Sequence, residues 1–196
     1  DGDDTQAESK PAGGPLDIPS FVPVEAVVSV HYPRMLLVAY RLINTHFPSS
    51  PLISQFRSTI RSHGRASAVL GASTGLYNEL LYFQWRGCND LPCVISLLRA
   101  MEQTGVEPNM RTKALVDSIV EQRERDMRKL ENRPVEGEGA AIDPWWDMAP
   151  NRRAMREITK KHGFVRRLLK DAGKKESERN QRAKRQRKRR FHGRRR

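Results

Sequence analysis

Cysteine, aromatic residues and long apolar runs are all scarce in this 196-residue chain, and each shortage removes a class of protein. The two cysteines, Cys88 and Cys93, are separated by only four residues and cannot form the disulfide framework of a small secreted fold. No stretch approaches the roughly 18 consecutive apolar residues of a membrane span. The five histidines are scattered, and none makes a recognisable dyad with Ser, Cys or Asp. His63 is the nearest to Cys88, 25 residues upstream, and no second ligand pair follows the cysteines at zinc-finger spacing. The turn "GASTG" at 71–75 lacks the Gly-Lys-Ser/Thr that closes a nucleotide loop, and a capping role for Ser73 or Thr74 is the simpler reading. Catalysis is therefore not expected, nor is a cofactor, a metal or a small-molecule substrate. Period-two alternation is also missing, which argues against strands.

What the chain has is charge, unevenly placed. Residues 151–196 hold 21 Lys/Arg against 4 Asp/Glu, a balance of +17. The other 150 residues hold 15 against 19, a balance of −4. The stretch "RNQRAKRQRKRRFHGRRR" is the extreme: residues 179–196 carry eleven Lys/Arg and no acid. So dense a run at one end repels itself and seeks a polyanion. Its arginines suit bidentate phosphate contacts and its lone aromatic, Phe191, suits stacking. The candidate RNA-binding residues here are Arg182, Lys184, Arg185, Arg187, Lys188 and Arg189, followed by Arg190, Phe191, Arg194, Arg195 and Arg196. A nuclear-localisation signal or an acidic-membrane patch has the same composition.

Apolar spacing organises the rest. Residues 1–24 contain four prolines and three glycines and read as a disordered arm, taken to extend over 1–30. From Tyr32 a helix is expected, with Pro33 in its first turn and Leu36, Tyr40, Ile43 and Phe47 on one face. Ser50-Pro51 starts the next, carrying Ile53, Phe56 and Ile60 until Gly64 stops it. A hairpin of Leu76–Arg86 and Leu91–Thr104 follows, turning at Gly87. In "MEQTGVEPN", Gly105 is expected to end the second helix in a left-handed cap, with Val106 folding back onto it and Pro108 aiming the next unit. A longer helix over 111–131 has an apolar first half, while its second half, "EQRERDMRKLE", is charged nearly all round and is expected to project into solvent or bridge to a partner. The helical domain thus spans 31–131, a linker 132–143, two further short helices 144–173, and a basic tail 174–196. Trp145-Trp146 can stack on bases or staple a helix entry to the core, and His63-Gly64-Arg65 is either an exposed helix end or a phosphate contact.

Helical units of this length that stack are the mark of a solenoid. The unit Leu76–Asn109, with Tyr77-Asn78, Gly87 and Met101-x-x-x-Gly105-Val106-x-Pro108-Asn109, resembles a pentatricopeptide repeat, one residue longer than the family interval. The resemblance implies that Asn78 and Asn109 read a base of single-stranded RNA; helix capping is the alternative for both. The unit that follows keeps Thr112 but has Lys113-Ala114 where Tyr-Asn would fall. Over roughly 32–169, the blocks "HGRASAVLGASTGLYNELLYFQWRGCNDLPCVISLLRAMEQTGVEPN", "VDSIVEQRERD" and "WWDMAPNRRAMREI" look like the C-terminal domain of the fungal mitochondrial transcription factor 2 family. That resemblance implies a mitochondrial-matrix location and RNA-centred work: an RNA-binding adaptor in transcript stabilisation, processing and translation, partnered by the mitochondrial RNA polymerase. The alternative is a structural mitochondrial ribosomal protein whose tail threads rRNA. The expected fold is all-α, a short solenoid of stacked hairpins like those of pentatricopeptide and tetratricopeptide repeats, with a disordered N-terminal arm and a basic C-terminal tail.

Overall fold

The structure is a computed structural model and describes residues 23–131 and 144–170, together with positions 172, 174, 177 and 178. The expected arm up to residue 22, the linker 132–143 and nearly all of the tail lie outside the described residues. Among the described residues every regular element is helical. The helices are α1 (Val24–His46), α2 (Pro51–Ser62), α3 (Arg65–Leu70), α4 (Thr74–Arg86), α5 (Leu91–Gln103), α6 (Met110–Glu131), α7 (Pro144–Asp147) and α8 (Ala149–Thr159). Residues 164–170 form a further helix, α9.

Local chemistry sets most of the ends. Ser50 caps α2, its hydroxyl accepting from the Leu52 amide at 3.3 Å, with Pro51 in the first turn. Asp90 caps α5 through a 2.9 Å bond from the Cys93 amide. Gly105 has φ +68° and ends α5. The Val106 amide donates to the Met101 carbonyl at 2.9 Å and the Gly105 amide to the Glu102 carbonyl at 3.2 Å. These two bonds are a Schellman motif, and Val106 packs back against the core as its apolar contact.

α4 packs against α1, α5 and α6, and α5 packs in turn against α8. α2 and α3 close against α1, α7 sits against α8, and α8 also touches α6. The shared core is built mainly by α4 and α5, whose Leu80, Leu81, Leu91, Val94, Leu98 and Met101 are buried. Tyr40 brings α1 into this core by edge contacts with Phe56 at 5.1 Å and Phe83 at 6.5 Å. Val165 and Leu169 do the same for α9.

Three features depart from the sequence reading. α1 begins at Val24, so Pro33 lies inside it rather than in its first turn. Pro23 provides the earlier start, its carbonyl accepting from the Ala26 amide at 3.0 Å, and Glu25 lies in the first turn where the helix dipole favours an acid. The short α3 fills a stretch assigned no element. The charged half of α6 does not simply project: Arg123, Asp126 and Met127 are half-buried, and Asp126 Oδ2 accepts from Trp146 Nε1 at 3.1 Å. One face of α1 finds no cover. Val24, Val28, Met35, Val38 and Leu42 follow a heptad rhythm and are between 37% and 64% exposed.

Candidate nucleic-acid interface

The structure brings Asn78 and Asn109, the two ends of the pentatricopeptide-like unit, together. The Asn78 amide donates to Asn109 Oδ1 at 3.1 Å. The Thr112 hydroxyl donates to Asn78 Oδ1 at 2.7 Å. Asn109 Oδ1 also accepts from the backbone amides of Arg111 and Thr112, at 3.0 and 3.1 Å, and the Asn109 backbone N–H donates to the Thr112 hydroxyl at 3.1 Å. That is an N-cap for α6 tied into α4. Asn78 is 2% exposed and Thr112 fully buried, so Asn78 presents no free edge to a base. Base reading by Asn78 is thereby excluded, while Asn109 is exposed with its Oδ1 engaged in the cap. A buried amide between two helices must be satisfied from within, and Thr112 and Asn109 satisfy it.

Other candidates resolve as packing. Trp146 is buried, with ring centroids 4.5 Å from Trp145 and 6.0 Å from Trp85. Asn151 Nδ2 donates to the Trp145 carbonyl at 2.7 Å. The pair therefore staples α7 and the start of α8 onto the end of α4. Ser73 caps α4 through the Leu76 amide at 3.3 Å. Gly71 and Gly75 admit the close approach of α1, since a Cβ on Gly71 would meet Leu36 Cδ1 at 2.7 Å and one on Gly75 would meet Leu37 Cδ2 at 2.9 Å. Gly64, at φ +95°, turns the chain from α2 into α3. Cys88 is exposed and Cys93 half-buried. Burial pushes both thiols above the usual range, and Asp90 adds to the shift at each, so neither is poised as a thiolate. Burial likewise raises the Tyr40 phenol. Among the described residues no group of three His, Cys, Asp or Glu is placed to hold a metal, and no described helix is long and apolar enough to cross a membrane.

Cationic side chains are what the C-terminal part of the fold gathers. The tail residues Arg182 to Arg196 lie outside the described residues. The basic region nevertheless begins on ordered helices. Arg152, Arg153, Arg156, Lys160, Lys161, Arg166, Arg167 and Lys170 are all exposed on or beside α8 and α9, while Ala154, Met155 and Ile158 anchor α8 in the core. Between α5 and α8 runs a groove of about 950 Å³, lined in part by Arg99, Arg153, Arg156 and Lys160. A second hollow, of about 590 Å³, lies beside Arg123, Arg152 and Arg156. Sequence reasoning missed both, because Arg99 and Arg123 are far from α8 in the chain. The signal within reach was the run "NRRAMREITKK", whose apolar positions fix which of its cations face outward.

The Mtf2 family model matches residues 5–186. No curated protein and no solved structure matches the chain.

Proposed function

The chain belongs to the Mtf2 family, which makes it a mitochondrial transcription-related factor, and on that premise we propose that it is an RNA-binding adaptor of organellar gene expression. In this reading it works in the matrix, holding transcripts by their phosphates and presenting them to the expression machinery, and performs no catalysis of its own. The observation that carries the reading is the separation of charge: +17 over residues 151–196 against −4 over the rest. A slightly acidic body avoids indiscriminate contact with nucleic acid, while a concentrated cationic end releases counterions on meeting a phosphate backbone. The exposed stripe on α1 supports the adaptor half of the reading, because an apolar helix face of that kind suits a helical protein partner. In this arrangement RNA and protein meet different parts of the molecule. The candidate protein partners are the mitochondrial RNA polymerase and the mitochondrial ribosome.

Crosslinking in intact mitochondria, followed by sequencing of the bound RNA, tests the proposal. Recovery of organellar mRNAs above an uncrosslinked control is the expected result; recovery of no RNA refutes it. Gradient sedimentation after a high-salt wash separates it from the ribosomal alternative. An adaptor held by phosphate contacts leaves the ribosomal subunits in salt, whereas a structural subunit stays with them in stoichiometric amount.

A further inference from the structure

The groove between α5 and α8 has the chemistry of a built phosphate track. Its floor is apolar and rigid: Ile95 and Ala154 are buried core residues, flanked by Pro92 and Pro150. Its rim carries four cations, Arg99, Arg153, Arg156 and Lys160, against one acid, Glu157. Arg99 is held at two points. Its guanidinium lies 5.3 Å from the Phe164 ring centroid and one nitrogen lies 3.6 Å from Glu157 Oε2. A single contact of that length leaves most of the five guanidinium N–H donors available, in an orientation already fixed by the ring. Arg153 and Arg156 sit at i and i+3 on α8, a helix anchored from beneath by Ala154, Met155 and Ile158, and Lys160 is its C-cap residue. Eleven residues of α8 give the track a length of about 16 Å, enough for a few nucleotides of one strand.

We propose that this groove binds a segment of single-stranded RNA, with backbone phosphates on Arg99, Arg153, Arg156 and Lys160 and a sugar or base face over Ile95 and Ala154. The inference rests on the RNA-binding reading above and deepens it: the fold itself grips the strand, and the basic tail adds affinity further along the chain. Three of the four cations are arginines, whose planar fork matches a phosphate in two bonds where an ammonium offers a point charge. An acidic protein segment is the competing occupant on charge alone. The groove's apolar floor is shallow in composition, Ala and Pro beside a single Ile, and lacks the large pockets that anchor a peptide helix.

The test uses the full chain and a fluorescein-labelled oligouridine as probe, with anisotropy read across a salt series. The groove variant Arg99→Gln, Arg153→Gln, Lys160→Gln removes three phosphate partners. It should make the slope of log affinity against log salt shallower by about 2, from roughly 0.7 per phosphate on a single strand. A control variant, Arg34→Gln, Arg57→Gln, Arg61→Gln, removes the same charge from α1 and α2 and should leave the slope unchanged. Coincident far-ultraviolet circular dichroism melts establish that both variants fold. An unchanged slope in the groove variant overturns the groove while leaving RNA binding intact; equal loss in both variants also overturns it, as a net-charge effect. Displacement of the probe by polyglutamate of matched charge as effectively as by unlabelled oligouridine reassigns the groove to acidic peptides. Failure of the unaltered chain to bind the probe refutes the broader RNA-binding reading instead.

Discussion

Asn78 is where a base-reading repeat and a buried cap make opposite predictions. In the structure Asn78 donates to Asn109 and accepts from Thr112, at 3.1 and 2.7 Å. Replacing Asn78 by Ala deletes both bonds and the space they fill. At about 1 kcal/mol per bond plus a small cavity term, the loss is about 2–3 kcal/mol. Thr112→Val keeps the shape but leaves Asn78 Oδ1 buried without its donor and takes the acceptor from the Asn109 amide, which also costs about 2–3 kcal/mol. Because both changes strike one bond, the double variant should lose about 1–2 kcal/mol less than the sum of the singles. For a body of this size a change of 2.5 kcal/mol lowers the Tm by about 10 °C. Thermal melts of the four proteins supply the cycle, and RNA affinity measured well below each Tm should agree within about twofold across them, the scale of a few tenths of a kcal/mol. An Asn78→Ala protein with unchanged Tm and an altered preference among RNA sequences would refute the cap and restore the base-reading role.

Further expectations come from single positions. Gly105→Val should cost about 1 kcal/mol or more, because φ +68° is left-handed backbone that a β-branched residue resists even where nothing lies within 4 Å of its Cβ; an unchanged Tm contradicts the cap. Gly71→Ala should destabilise by about 1–3 kcal/mol through overpacking against Leu36 and the Ser67 carbonyl, read as a lower urea midpoint at constant slope. Both cysteines should alkylate more slowly at pH 8 than a free thiol, since a raised thiol pKa lowers the thiolate fraction there, and exposed Cys88 should react before half-buried Cys93; Cys93 reacting first contradicts the burial order.

The sequence was most legible where structure is decided within a few residues. Ser50-Pro51 and Gly105-Val106 each specify a helix end by local hydrogen bonding, and both ends lie where the pattern placed them. Pro33 misled because its ring suits a first turn, whereas the chain had already entered a helix at Val24. The six residues of α3, between Gly64 and Gly71, are too few to show a period. The charged half of α6 was unreadable for a different reason: its cover, Trp146, arrives from beyond the linker. The candidate site divides the same way. The basic tail is a compositional fact, but the Asn78–Asn109–Thr112 cluster and the α5–α8 groove exist only once separate helices meet.

Phosphate contacts from the C-terminal cations are proposed to carry the RNA affinity. This is tested most directly by comparing the full chain with a full-length variant whose Lys and Arg residues from 182 to 196 are all replaced by Ser. Oligouridine affinity is measured for both from low to high salt. If the tail engages about six phosphates, the slope of log affinity against log salt should become shallower by about 4 and binding should weaken alike for every RNA sequence. Equal affinity and equal slope for the two proteins at physiological salt would contradict the account and move RNA recognition off the tail.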